Sequence, residues 1–185
     1  MLKRLSQTHH VKWSIDAITG STTRETLMRL NEAPRQKIDV VSVSLGVNGI
    51  TARVPLREWI KTYAELLDLI DTEYQASVIC VSGIPQMKYF PLLSQPLRWV
   101  LGAQATRFDR ALRKLVARRP NCRFVTMDFE PDTSLMSEDG FHPGPKIYAE
   151  WGRKVYRSIR PGVRRLGTRP FAWVTQAFPT GSQFA

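Results

Sequence analysis

Ile38 to Leu45 reads IDVVSVSL and runs straight into Gly46-Val47-Asn48-Gly49. The stretch is apolar and β-branched with little alternation, the pattern of a strand covered on both faces, as in a parallel sheet flanked by helices. The two glycines then break it with a turn at the strand's carboxyl end. In open α/β sheets that end is where ligands bind. Downstream, Trp59, Ile60, Tyr63, Leu66, Leu67 and Ile70 recur at helical spacing and predict an amphipathic helix lying on the sheet.

The flanking sequence extends the same alternation of strand and helix. Upstream, Val11 to Ile18 (VKWSIDAI) puts Val11, Trp13, Ile15 and Ala17 on one face, as expected of a half-covered strand at or near a sheet edge. It closes in Thr19-Gly20-Ser21-Thr22-Thr23, where Gly permits a tight turn and the hydroxyls can cap a helix carrying Leu27 and Leu30. Downstream, Ser77 to Val81 is a third buried-type strand, closed by Gly83-Ile84-Pro85. Lys88 to Pro96 is a loop with Tyr89, Phe90, Leu92 and Leu93, open to two readings: the wall of a substrate cleft, or a hydrophobic loop packed on the domain. Leu97, Leu101, Phe108, Leu112 and Leu115 mark a long helix, and Arg123 to Asp128 a fourth strand. Ile147, Trp151, Val155 and Ile159 mark a last helix, which Pro161-Gly162 should end. The pattern predicts one α/β domain over residues 1–162 with a mostly parallel sheet. Val163 to Ala185, basic and then rich in Pro, Gly and aromatics without a clear period, is expected to be a tail.

Composition narrows the function classes. The chain has 185 residues, with 27 basic against 16 acidic side chains and a net charge of +11. Such an excess suits nucleic acid or an anionic surface. The basic residues are nonetheless spread over helices (Arg107, Arg110, Arg113, Lys114, Arg118, Arg119) and the tail, without a nucleic-acid-binding motif, so a solvated basic face is the preferred reading. Cys80 and Cys122 fall in strand-like runs and do not form a CxxC; buried free thiols are expected, and no metal site or cofactor is. No apolar stretch is long enough for a membrane span, and Met1 to His10 lacks the apolar region of a signal peptide. A cytoplasmic location is the default expectation, and the sequence leaves the oligomeric state open.

One turn carries more specific chemistry. Asp139-Gly-Phe-His142-Pro-Gly can present an imidazole together with its own orienting carboxylate. The carboxylate would take the Nδ1 proton and leave Nε2 to accept a proton from a nucleophile. Taken alone, a D-x-x-H turn is more often a surface turn before a helix. Gly20, Asn48 and this turn, however, all fall at carboxyl ends of predicted strands, and three turns converging on one rim are stronger evidence than any one.

With those residues in place, the chain resembles the SGNH (GDSL-type) hydrolases, particularly a group of short bacterial esterase-like proteins. The matching segments are Trp13 to Thr23 (WSIDAITGSTT), Val41 to Gly49 (VSVSLGVNG), Leu92 to Gly102 (LLSQPLRWVLG) and Asp139 to Trp151 (DGFHPGPKIYAEW). The resemblance implies a three-layer, flavodoxin-like fold with strand order 2-1-3-4-5. It also implies hydrolysis of small-molecule carboxylic esters by a serine nucleophile. Gly20 matches the family's oxyanion glycine, Asn48 its oxyanion asparagine, and Asp139 and His142 its D-x-x-H. The Gly20 N–H and the Asn48 amide would then donate to the oxyanion of a tetrahedral intermediate, and such donors are worth about 3–4 kcal/mol each. His142 would act as general base and then acid, with Asp139 as its orienter.

The sequence departs from the family pattern twice. Gly49 stands where the family has Asp, which is expected to alter turn support more than chemistry. More seriously, the family's nucleophile lies in a G-D-S block ending the first, central strand, and Met1 to His10 contains neither. None of Ser6, Ser21, Ser42, Ser44, Ser82, Ser134 and Ser137 sits in a nucleophile turn, so no nucleophile is found. The first strand is thus expected to be missing, through an N-terminally shortened chain. Its loss would leave facing ladders unpaired at about 1–3 kcal/mol per buried group, against a margin of about 5–15 kcal/mol. Unless the neighbouring strands re-pair, the chain alone should fold poorly and be inactive. The alternative is a non-catalytic relative that binds an acyl or glycan ligand or a protein partner through the rim. A basic nucleic-acid or anionic-surface binder ranks third.

Overall fold

The computed structural model describes residues 5–90, 92–129, 135–138, 142–165 and 171–175, the last segment and residues 164–165 by backbone alone. β2 (Val40–Val43) is the most completely covered strand, with every residue buried. β3 (Val78–Ser82) is equally buried and pairs with it in parallel, Val40 opposite Val78 and Val43 opposite Val81. β4 (Cys122–Val125) follows on the far side of β3, and β1 (Val11–Ile15) is the opposite edge. Alternate residues of the buried strands feed two cores. Val41, Val43, Ile79 and Val81 face α1 (Thr23–Glu32), α3 (Leu56–Thr72) and α4 (Leu97–Val116). Val40, Val78 and Cys80 face α5 (Pro145–Arg165), meeting Val155, Ile159 and Val163. These are the layers expected when β-strands with apolar residues on both faces alternate with amphipathic helices.

The sheet departs from the sequence reading at one place. A fifth strand, β5 (Phe171–Thr175), forms from the segment read as a tail, and the strand order is β1-β5-β2-β3-β4. β5 runs parallel to both neighbours, with Val174 paired to Ser14 on one side and to Val41 on the other. Among the described residues no strand precedes β1, as the sequence implies. The central place of that strand is occupied from the other end of the chain. Its backbone groups therefore supply the partners that β1 and β2 would otherwise lack, and burying those ladders is what makes an irregular-looking segment extended.

A second correction concerns the last helix. Pro161-Gly162 does not end it; α5 continues through Pro161 to Arg165. Proline removes one helical hydrogen bond, but Ile159 and Val163 on either side are buried against the sheet. Gly162 lies so close to β3 that a Cβ there would come within 2.3 Å of Val78 Cγ2. Packing on the sheet overrides the local break signal.

The other elements follow their sequence signals. Trp59, Tyr63, Leu66, Leu67 and Ile70 are all buried along α3, and Leu101, Phe108 and Leu112 along α4. β1 is an edge strand, with Trp13 and Ile15 more than half exposed. Cys80 and Cys122 are free and buried; burial pushes their thiols up to about 12 and about 11, so both stay protonated near neutral pH. The Lys88 to Pro96 loop divides between its two readings. Phe90 and Leu93 are buried, while Tyr89 and Leu92 stand out in solvent.

Candidate active site at the carboxyl rim

At the carboxyl end of β1 the chain turns through Ile18 to Ser21, where the Ser21 N–H donates to the Ile18 carbonyl at 3.1 Å. Gly20 takes the left-handed φ of +76° in this turn, and the space beside its Cα is open. A side chain there would strain the backbone and stand over that open space. The turn is locked from behind by a capping box. Thr22 Oγ1 accepts from the Glu25 N–H, and the Glu25 carboxylate accepts from the Thr22 N–H at 2.7 Å. These hydrogen bonds hold the Glu25 carboxyl below its ordinary value.

At the carboxyl end of β2, Gly46 adopts φ +141° and leads into the short helix α2 (Val47–Thr51). A Cβ at Gly46 would fall 2.2 Å from Ile84 Cδ1, so close approach as well as dihedral demands glycine. Asn48 sits in the first turn of this helix. Its Nδ2 donates to the Ser21 carbonyl at 2.9 Å, joining the two turns. An amide carries two N–H groups; the bond to Ser21 fixes the plane of the group and sets the direction of the second.

Trp59 lies beneath both turns. It is 2% exposed, and its indole N–H donates to Thr23 Oγ1 at 2.9 Å, tying α3 to the start of α1. A Cβ on Gly49 would meet the Trp59 ring at 3.0 Å. The family's aspartate at this position would press on the indole, so Gly49 and Trp59 form a matched pair. Periodicity places Trp59 in the core but does not show that it props up both turns. No short-range sequence signal does.

His142 enters the rim from the other layer. It lies three residues before the start of α5, whose second turn is fastened to the carboxyl end of β3 by the Trp151 indole N–H donating to Ser82 Oγ at 2.9 Å. The turn carrying it is closed by backbone bonds, from Ser137 N–H to the His142 carbonyl and from Gly144 N–H to the Leu135 carbonyl, each 2.8 Å. Ser137 Oγ adds a bond to the Pro143 carbonyl, and Met136 bridges Pro143. His142 is half-buried. Asp139, its expected orienter, lies outside the described residues. Thus the structure joins the Gly20 and Asn48 turns by a direct hydrogen bond, and His142 lies in the separate turn that leads from β4 into α5. Further along that rim, a cavity of about 270 Å³ opens beyond β3 and β4, lined by Gln86, Lys88, Asp109 and Asp128 among others. Lys154, bonded to Asp128 at 2.8 Å, holds that carboxyl below its usual range. Among the described residues no group of His, Cys, Asp and Glu side chains could hold a metal ion.

A parallel sheet with donor-bearing turns after β1 and β2 and a histidine turn before the last helix defines an SGNH-type α/β hydrolase fold. Residues 1–150 match the GDSL-like lipase/acylhydrolase family, and the chain belongs to that family. Among solved structures it is similar to TesA, at 18% identity, TM-score 0.64, covering 87% of this chain and 85% of that one. It is also similar to the family 3 carbohydrate esterase of Clostridium thermocellum, at 20% identity and TM-score 0.59, covering 80% of this chain and 69% of that one. A catalytic mutant of the acetylxylan esterase Axe2 from Geobacillus stearothermophilus matches at 19% identity and TM-score 0.55, covering 76% and 68%. At these identities the likenesses speak for the fold. No curated protein matches. Among the described residues no helix is long and apolar enough to cross a membrane.

Proposed function

We propose that the rim is the acid–base and oxyanion half of a serine esterase site for carboxylic esters, and that this chain lacks the nucleophile and is inactive alone. The observation that carries this reading is the bond from Asn48 Nδ2 to the Ser21 carbonyl, 2.9 Å. It ties the Asn48 amide to the turn that carries Gly20, which supports a reading in which the second Asn48 N–H and the Gly20 N–H donate to one developing oxyanion. His142 then serves as general base toward an attacking hydroxyl and as acid toward the leaving alcohol, with Asp139 holding its tautomer. The 185 residues contain no Gly-Asp-Ser.

The place from which the family delivers its serine is the carboxyl end of the strand between β1 and β2, which here is β5. A graft tests the reading. Gln176→Gly, Ala177→Asp and Phe178→Ser, made together, put the missing block directly after β5. The native chain should not be labelled by a fluorophosphonate probe and should not hydrolyse p-nitrophenyl acetate above a His142→Ala control. The grafted chain should do both, and Asn48→Ala in it should lower turnover by about 10²-fold or more. Labelling of a native residue would overturn the missing-nucleophile half of the reading. Turnover in the graft that ignores both Asn48 and His142 would overturn the site.

A second reading is favoured by the missing block itself: a non-catalytic relative that binds an acyl or glycan ligand, or a protein partner, at the same rim. It requires saturable binding of an uncleaved ester, with an acetylated xylo-oligosaccharide as the probe, lost on substitution of Asn48.

A further inference from the structure

Between positions 89 and 100 five large apolar side chains stand exposed: Tyr89, Leu92, Leu97, Trp99 and Val100. Trp99 is 72% exposed and Leu92 63%, more than any other large apolar side chain among the described residues. They cluster where the loop meets the first turn of α4. The short 3-10 turn Met87–Tyr89 packs directly on α4, where a Cβ on Gly102 would strike Lys88 at 2.8 Å. Arg98 Nε, one residue before Trp99, donates to the Leu93 carbonyl at 2.6 Å and draws the loop end against the first turn of the helix. Tyr89 and Leu92 are turned outward while Phe90 and Leu93 are buried, and exposed apolar groups gathered at one place in this way mark a surface that meets something.

What it meets is indicated by the next turns of the same helix. Trp99, Ala103, Arg107, Arg110 and Lys114 follow one another at helical spacing and are all exposed, so one stripe is apolar at its start and basic beyond it. Asp109 is the sole acid within α4, and it is turned away, accepting from the Ile84 N–H at 2.9 Å. Lys88 adds a further exposed cation over the Tyr89 ring, 4.8 Å from its centre. Along the stripe itself the apolar start and the cations beyond it are segregated, rather than alternating as base-stacking surfaces would have them. Segregation suits a lipid interface, where tryptophan and leucine pass the headgroups and arginines meet the phosphates.

We infer that the Tyr89–Val100 patch and the basic stripe of α4 dock this protein on an anionic lipid surface. The net charge of +11 draws the whole chain toward such a surface. The inference stands whether or not the carboxyl rim hydrolyses esters.

The test is flotation of the full chain with vesicles of phosphatidylcholine alone and of phosphatidylcholine with phosphatidylglycerol. Binding to the anionic vesicles should be about tenfold tighter or more and should weaken with salt. Trp99→Ser should weaken it about tenfold, Trp99→Phe should restore most of it, and Arg107→Glu with Arg110→Glu should abolish the preference for anionic lipid. All three positions are exposed, and matching thermal melts would establish that the variants fold. Equal affinity for the two vesicles, an unaltered Trp99→Ser, or Trp99-dependent dimerisation without vesicle binding would each overturn the inference.

Discussion

The side-chain amide of Asn48 donates to the backbone carbonyl of Ser21 across 2.9 Å, and this bond links the turn that follows β1 to the turn that follows β2. The two strands are not neighbours in the sheet, since β5 lies between them. The bond therefore spans the end of the central strand. Asn48→Ala should cost about 1 kcal/mol in a denaturant melt, the usual net worth of such a bond. Asn48→Asp should cost more, because a carboxylate would face the Ser21 carbonyl in place of a donor.

β5 gives the sharpest stability prediction. A chain ending after Arg165 loses every partner of β1 and the outer partners of β2. Each buried backbone group left unmet costs about 1–3 kcal/mol, and a few consume an ordinary margin of about 5–15 kcal/mol. The truncated chain should show no cooperative transition and should aggregate. Val174→Pro, which removes one ladder donor from a central strand, should be destabilised in the same direction; native-like melting of both would show that β5 does not hold the sheet together.

The Ser82–Trp151 contact ties the histidine-bearing side of the rim to the sheet. Ser82 is fully buried and receives the Trp151 indole N–H at 2.9 Å. Trp151→Phe removes the donor and leaves the hydroxyl in place, which should cost about 1–3 kcal/mol. In the grafted chain it should also lower turnover at unchanged stability-corrected fold content, because the α5 amino end that carries His142 would lose its anchor. Circular dichroism and ester turnover, measured side by side, separate the two effects.

Tyr63 makes the opposite prediction. Its ring is fully buried beside Trp59, at 5.1 Å between centroids, and its hydroxyl has no hydrogen-bond partner among the described residues. Burial drives the phenol upward from its ordinary pKa, so it stays neutral. Removing an unsatisfied buried hydroxyl relieves a desolvation cost of about 1–3 kcal/mol. Tyr63→Phe should thus leave the melting temperature unchanged or raise it; a clear loss of stability would mean the hydroxyl is paired in solution.

Acid should loosen the Gly20 turn through Glu25. Its folded pKa lies below the ordinary 4.5 because it accepts from the Thr22 N–H and hydroxyl. A depressed carboxyl contributes stability that is present above the unfolded value and is lost as pH falls through the folded one. The difference in melting temperature between the native chain and Glu25→Gln should therefore be constant above about pH 5 and should shrink below it. A difference that grows on acidification would reverse the assigned sign.

Much of the architecture is legible in the chain. β2 and β3 announce themselves because both their faces are buried, so nearly every residue must be apolar. The α3 period is equally plain, since Trp59, Tyr63, Leu66, Leu67 and Ile70 all point into one core. Gly20, Asn48 and His142 stand out in the sequence because each falls in a turn that follows a strand or precedes a helix, where residues are chosen for conformation and hydrogen bonding. The docking patch is half visible. Arg107, Arg110 and Lys114 can be counted from the sequence, but nothing local distinguishes exposed Tyr89 and Leu92 from buried Phe90 and Leu93.

The sequence by itself determined the layers and the parallel sheet, because those depend on period and on turn chemistry. Tertiary structure alone decided that Phe171–Thr175 is a central strand, that α5 runs past Pro161, and that Gly49 is matched to Trp59. The physical reason is common to all three. Each is settled by a partner distant in sequence: unpaired ladders of β1 and β2, an apolar face on β3, an indole beneath a turn. A five-residue segment has no intrinsic demand to be extended. The demand belongs to the gap it fills.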